Sequence, residues 1–389
     1  MKKIALVALA VLIVGCGERT EQVRGVTDDE VKIGGIHDLS GVFAAFSTPA
    51  VRAAQDYFRQ VNDEGGVHGR RIRYIVEDHA YQVPRAVQAT NKLVTRDEIF
   101  AMVMSLGTPQ NLAAFPVMDR NDVPSILPLA LSEQMETEGD FSRRFVVGAS
   151  YYQAVLAGIN HLAEEHEINR LCVMYIPSDF GQEVHRAVVD ASADSDRLTM
   201  VQATSHRPDE SDFTGTLSRL RSAGCELVAV ALAVRPIISV MSTARDMGWD
   251  DVKFIVSQAG FHSAVAAAPG RATEGLYGVA AWQDIHTRMD NAETIEWVEA
   301  YQRAHGEFPS SGAVLGYVGA RVFVEALRAA GRDLNVESLV RGMESLDFVD
   351  PVTGVHVRMS PENHAAVRGI HLSQVRDGIW EPLVVIDEN

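Results

Sequence analysis

Apolar positions along this chain follow two periods, and the period switches repeatedly. Short apolar blocks of strand length alternate with longer stretches in which apolar residues recur every three or four positions. In the first half the blocks predict strands at 31–36, 71–77, 100–104 and 125–129. Between the first two, Val51, Ala54, Tyr57 and Val61 lie at helical spacing. Thr48-Pro49 reads as the cap and first-turn proline of that helix, and Gly65-Gly66 as its stop. Pro84 opens a second helix carrying Val87, Leu93 and Val94. Thr108-Pro109 opens a third, which ends before Val123-Pro124.

The pattern then restarts. Residues 144–148 read as a connecting strand. Helices predicted at 152–165, 181–191, 213–223 (behind a capping Asp212) and 237–246 alternate with strands at 171–175, 198–203, 227–232 and 254–257. Three helices follow, at 297–305, 313–330 (stopped by Gly331) and 336–346. From Phe348 onward the chain reads as short strands with turns at Gly354 and Gly378. Strands alternating with amphipathic helices imply an α/β fold with parallel sheets covered on both faces. Two such doubly wound units place a ligand beyond the carboxyl ends of the strands, in a cleft between lobes.

Composition narrows the function. The 389 residues hold 47% hydrophobic and 22% charged positions, an ordinary globular mixture, and 35 Lys plus Arg against 52 Asp plus Glu leave a net charge of −17. That sign argues against a protein that coats nucleic acid or anionic lipid. Three cysteines are too few for a disulfide-built scaffold. A P-loop, an HExxH and a CxxC are all absent, as is any nucleophile–base pair or metal set that would carry an enzyme.

The first residues give an address. Lys2 and Lys3 precede an unbroken apolar and small-residue run, Ile4–Val14. It is too short to span a bilayer, which takes about 20 residues, but it suits the core of a signal peptide. The run ends Ile13-Val14-Gly15-Cys16, which resembles a bacterial lipobox. A lipidated Cys16 would then become the new N-terminus of a 374-residue chain with net charge −19, followed by a polar tether over 16–30. The alternative is a secreted protein with an incidental cysteine.

Three stretches carry a family resemblance. "IGGIHDLSGVFAAFSTPAVRAAQDYFRQVNDEGG" from Ile33, continuing "VHGRRIRYIVEDHAYQVPRAVQATNKLV", is the first. "SLGTPQNLAAFPVMDRNDVPSI" from Ser105 is the second. "VMYIPSDFGQEV" with "DFTGTLSRLRSAGCELVAVAL" is the third. In order and spacing they resemble the substrate-binding proteins of ABC transporters of the branched-chain amino acid (Leu/Ile/Val-binding, type I periplasmic binding protein) family, from about Val31 to the end. The resemblance implies two α/β lobes joined by three crossing strands, with a hinge that closes them on the ligand. The N-lobe would be 31–143 plus 283–347, the C-lobe 149–275 plus 357–389, and the crossings 144–148, 276–282 and 348–356. It implies an extracytoplasmic carrier that delivers a small carboxylate to a permease. A ligand-sensing module of the same fold, acting on a receptor, is the alternative.

The resemblance also indicates site residues. The ligand carboxylate would meet Ser105, after the third strand, and the segment 129–132 with Ser132, after the fourth. The residues agree from below: free N–H groups and the dipole at a helix start favour an anion. Thr108 is expected mainly as that helix's cap. Phe46, Tyr151 and Phe180, all on loops, are the aromatic wall, with Phe43 and Tyr152 nearby. In amino-acid-binding members an acidic residue meets the ammonium; here Gln258, in "VSQAGFH", stands near that place. An amide cannot balance a buried ammonium. Leu129 and Leu131 replace small or hydroxyl residues, and Arg235, in "LAVRPI", brings a positive charge toward the cleft. These departures favour an aromatic or aliphatic acid over an α-amino acid. His37 and His262, in cleft loops, suit neutral hydrogen bonding better than a metal, and no cofactor is implied. His161 and His166 read as surface. Cys172 and Cys225 start strands that are neighbours in a doubly wound sheet, so a disulfide and two reduced cysteines are both open.

Overall fold

The structure is a computed structural model and describes residues 23–386. The leader and Cys16 lie outside these residues. The first lobe is built on a five-stranded, wholly parallel sheet of β1 (Glu30–His37), β2 (Arg71–Asp78), β3 (Ala101–Val103), β4 (Ser125–Ile126) and β5 (Arg144–Phe145), in the order β2-β1-β3-β4-β5. The second lobe holds a seven-stranded sheet. Its parallel part is β6 (Arg170–Tyr175), β7 (Thr199–Ser205), β8 (Leu227–Ala231), β9 (Lys253–Val256) and β10 (Tyr277–Ala280). β11 (Asp347–Val349) and β12 (His356–Arg358) form a two-stranded hairpin, and Val357 of β12 also bridges Val367. β13 (Ile370–Arg376) and β14 (Ile379–Ile386) add an antiparallel edge to the second sheet, next to β10. The central strand β8 reads LVAVA and is buried throughout, as a sheet covered on both faces requires.

The predicted alternation of strand and helix is present, with local corrections. The first helix runs Ala44–Asp63 and begins before Thr48, so Pro49 lies inside it. The loop ahead is tied down by Asp38, whose carboxylate accepts from the N–H groups of Gly41 (2.6 Å) and Phe43 (2.8 Å), and the chain is already coiling at Ala44. This helix lies against Ser311–Ala330 so closely that a Cβ at Gly316 would overlap the carbonyl of Ala50. The end of the expected tether is anchored: Val26 is buried, and Arg24 donates to the carbonyl of Val94 at 2.6 Å. Residues 348–356, expected as the third crossing, form most of the β11–β12 hairpin, because Asp347–Val349 finds its partner in His356–Arg358. The strand that passes beside 146–147 is 364–367, with Ala366 donating to Val146 and Val367 to Val147. His166 is half-buried rather than surface, its Nε2 2.9 Å from the Tyr277 hydroxyl. β6 pairs with β8, and Cys172 and Cys225 form a disulfide with Cα atoms 5.8 Å apart.

Candidate functional site

Between the lobes lies a cavity of about 450 Å³ of atom-free space, mouth included. Its walls are the loops and first helical turns beyond the carboxyl ends of strands, with Leu315 from the helix Ser311–Ala330, where an open α/β sheet leaves helix N-termini and side chains convergent. From the first lobe come Phe43, Phe46, Tyr81, Leu106, Gly107, Thr108, Leu129, Leu131 and Leu315. The second lobe gives Tyr151, Phe180, Gln258 and Ala259. Trp282 follows β10 directly. None of these side chains carries a charge.

The aromatic wall is a chain of ring contacts across the cleft. Tyr81 lies 4.6 Å from Phe43, Phe43 meets Phe180 edge-on at 6.4 Å, and Phe180 meets Tyr151 at 4.7 Å. Such packing is directional as well as apolar. Phe43 is held by the Asp38 bond to its own N–H. Tyr81 sits at φ +57 and Ala80 at φ +47, two left-handed non-glycine residues in succession. That conformation is costly for side chains with a Cβ and is kept where the surroundings demand it. Burial pushes the phenols of Tyr81 and Tyr151 upward, so both are neutral donors at physiological pH.

The polar atoms of the cavity are few. The helix Thr108–Asp119 points its N-terminus at the cavity, with no acidic residue in its first turn. Gly107 takes the N-cap position at φ +101, where a Cβ would overlap the Gln110 amide. Thr108 therefore does not cap its helix, and its buried Oγ1 has the Tyr151 hydroxyl as its polar neighbour. Gln258 donates from Nε2 to the carbonyls of Ala149 (2.9 Å) and Ser150 (3.2 Å). Two acceptors on that side fix the amide orientation, so its oxygen is the atom left over. Gln258 Oε1 and Trp282 Nε1 are both buried and have no hydrogen-bond partner among the described residues.

Five of the residues expected at the site thus line the cavity: Phe46, Thr108, Tyr151, Phe180 and Gln258. Three lie elsewhere. The Ser105 hydroxyl is turned back into the sheet, accepting from the N–H of Ile36 at 3.1 Å. Ser132 accepts from the N–H of Gln134 at 3.3 Å, on the way into a short helix. Arg235 is exposed on the second residue of the helix Val234–Asp246. Trp282 and Tyr81 were not singled out by the sequence. The first lay in a segment read as a crossing, and the second follows β2 in "EDHAY" with no helical or strand period to mark it.

The lobes are in contact around the cavity. His262 bonds the carbonyl of Ala45 and lies tilted against Phe46, ring centres 5.3 Å apart. The N–H of Ser263 donates to the Ser311 hydroxyl at 3.2 Å. Glu183, whose carboxyl burial pushes up, accepts from the N–H groups of Glu133 (3.1 Å) and Tyr152 (3.2 Å). Arg186 pairs with Glu133 and lies 4.4 Å over the Tyr152 ring. His37 is buried in the first lobe, between Ser47 (2.9 Å) and the Tyr74 hydroxyl (2.7 Å), and burial lowers its pKa to about 3.

The family model described as periplasmic binding protein matches residues 30–378. A Leu/Ile/Val-binding protein homologue from Brucella abortus (strain 2308) is 23% identical over 308 residues, 77% of each chain. A fatty acid ABC transporter substrate-binding protein from Thermomonospora curvata superposes with a TM-score of 0.82 at 24% identity, covering 95% of this chain and 94% of the other. A branched-chain amino acid ABC transporter structure from Thermus thermophilus, with bound valine, superposes at 0.83 with 19% identity, covering 92% and 97%. Both superpositions describe a shared fold.

Proposed function

From the premise that this chain belongs to the periplasmic binding protein family of solute-binding proteins, which are not enzymes and work with ABC permeases, we propose that it captures a small carboxylate-bearing ligand in the interlobe cavity and delivers it to a permease. The observation that carries the reading is the cavity itself: apolar, closed over by both lobes, and opening onto a helix N-terminus. The first-turn N–H groups and Thr108 are suited to a carboxylate, and the aromatic wall to an apolar body. The missing acidic residue argues against a buried ammonium. The named relatives fit this chemistry, since a fatty acid and valine share only the carboxylate and an apolar chain. Delivery needs two states. A ligand touching both lobes stabilises the closed one by the contacts it gains there. The lobes of that hinge would be 31–143 plus 283–347 and 149–275 plus the C-terminal strands, with 364–367 as the third crossing.

The protein would act outside the cytoplasmic membrane, held to it through a lipid on Cys16. Thermal-shift screening with aromatic and aliphatic acids against α-amino acids tests the ligand class, because a ligand of the folded state raises the melting temperature. Shifts with carboxylic acids are expected; a shift with α-amino acids alone, or turnover of a bound ligand, would refute the reading. Replacing Cys16 by serine should move the protein from the membrane fraction to the soluble one. Unchanged fractionation would remove the lipid anchor and leave the binding function standing.

A further inference from the structure

Besides Thr108 Oγ1, which neighbours the Tyr151 hydroxyl, two buried atoms on the cavity wall lack hydrogen-bond partners among the described residues, and they are complementary in kind. Gln258 Oε1 is an acceptor whose orientation is fixed, because the amide nitrogen is held by the carbonyls of Ala149 and Ser150. Trp282 Nε1 is a donor only. Gln258 is 1% exposed and Trp282 3%. Leaving such groups unpaired is costly, so a ligand that completes them gains selectively over one that does not. The lining carries no charge to neutralise an ion at this end of the cavity.

We infer that the ligand is a hydroxylated carboxylic acid, its hydroxyl held by Gln258 and Trp282, which makes these two residues the specificity determinants. The inference rests on the carboxylate reading above. A hydroxyl donates one hydrogen and accepts through its oxygen, so it is the smallest group that serves both the amide oxygen and the indole N–H. An ammonium donates to Gln258 but cannot accept from Trp282, and it leaves a full charge in an uncharged enclosure. A bare acid leaves the amide oxygen unpaired, and a keto group can accept from the indole but offers the amide oxygen nothing.

Isothermal titration calorimetry on the intact protein, with two sets of acids of matched carbon frame, tests this. One set is 4-methylpentanoate, 2-hydroxy-4-methylpentanoate and leucine; the other is benzoate and its three hydroxybenzoates. In at least one set the hydroxy acid should bind about tenfold or more tighter than the bare acid, and in the first set tighter than the amino acid by at least as much. Trp282→Phe keeps the ring and removes the donor; the hydroxyl advantage should then shrink several-fold with the bare acid unchanged. If that variant does not fold, Gln258→Met serves, with the same expected loss of hydroxyl preference. Bare or amino acids binding as tightly as hydroxy acids, or a hydroxyl preference that survives in the variant, would overturn the inference and leave the carboxylate reading intact. Absence of binding by every acid would overturn both.

Discussion

Across the cleft, Nε2 of His262 donates a hydrogen bond to the carbonyl oxygen of Ala45 at 3.2 Å. Both ends of this bond are prepared by the sequence. Ala45 lies four residues before Pro49, which has no N–H, so the helix Ala44–Asp63 leaves that carbonyl without its usual donor. Nδ1 of His262 accepts from the N–H of Ala264 at 3.0 Å, which puts the single ring proton on Nε2.

A proton on Nδ1 would face the Ala264 N–H, so the closed protein requires neutral His262. Burial lowers its pKa to about 4, against smaller raising effects from the Ala45 bond and from Asp284. The open protein, with the ring nearer water, would bind a proton near the ordinary 6.5. Closure is therefore fully favoured above pH 6.5 and is lost progressively as pH falls toward 4. Ligand affinity measured by calorimetry between pH 7.5 and 5 should fall by up to about tenfold per unit at the steepest point. His262→Asn keeps a capping oxygen but cannot reach Ala45. It should bind several-fold more weakly at pH 7.5 and show a flatter pH profile; an unchanged profile would mean that other groups govern closure.

The disulfide between Cys172 and Cys225 closes a separation of 53 residues near the amino ends of β6 and β8, opposite the cavity end of the sheet. Replacing both cysteines by serine should lower unfolding stability by about 2–4 kcal/mol in urea titrations. Ligand affinity should change less than about twofold, since the site is remote. A large loss of affinity would mean that the cross-link positions the cleft.

The strand–helix alternation was legible because each switch of period is long enough to read and each helix end carries its own signal. Helix Tyr151–Glu165 begins at a Ser150 capping box, and Gly331 ends Ser311–Ala330. What pattern cannot supply is where a polar side chain turns at a strand end. The Ser105 hydroxyl serves the sheet through Ile36, whereas Thr108, three residues on, faces the cavity. The aromatic wall was legible because its residues follow strand ends, but the expected loop positions are corrected. Phe46, Tyr151 and Phe180 lie in the first turns of the helices Ala44–Asp63, Tyr151–Glu165 and Asp179–Ala193, and Tyr81 and Trp282 were missed. The hairpin at 347–358 escaped because its short strands, read singly, look like a crossing; only their mutual pairing separates the two.

Gly316 tests how far the cavity depends on the helix pair behind it. A Cβ there would overlap the Ala50 carbonyl, a backbone atom that cannot swing aside. Gly316→Ala should force the helices Ala44–Asp63 and Ser311–Ala330 apart and destabilise the protein by about 1–3 kcal/mol. Phe46 and Leu315, one on each helix, line the cavity, so affinity should fall together with the melting temperature. Lower stability with unchanged affinity would show that the wall relaxes independently of the helix contact.

Charge should set the rate of capture. The chain carries −17, and the groove beside the aromatic wall holds Glu133, Glu136, Asp179 and Glu183 against Arg186 alone. The carboxylate proposed as ligand would approach through an unfavourable field, which salt screens over roughly 10 Å at 0.1 M against roughly 30 Å at 0.01 M. The association rate of a bound acid, followed by stopped-flow tryptophan fluorescence with Trp282 in the cavity wall, should therefore rise several-fold from 10 to 150 mM salt, both about the range over which screening changes most. Dissociation should change little, because the cavity lining is uncharged and the bound ligand is shielded from the groove. The primary amide of the same acid gives the control: without a charge to repel, its association rate should be flat in salt. An association rate of the acid that falls with salt would mean that positive charge near the mouth steers it in, and that the acidic groove does not set the rate of capture.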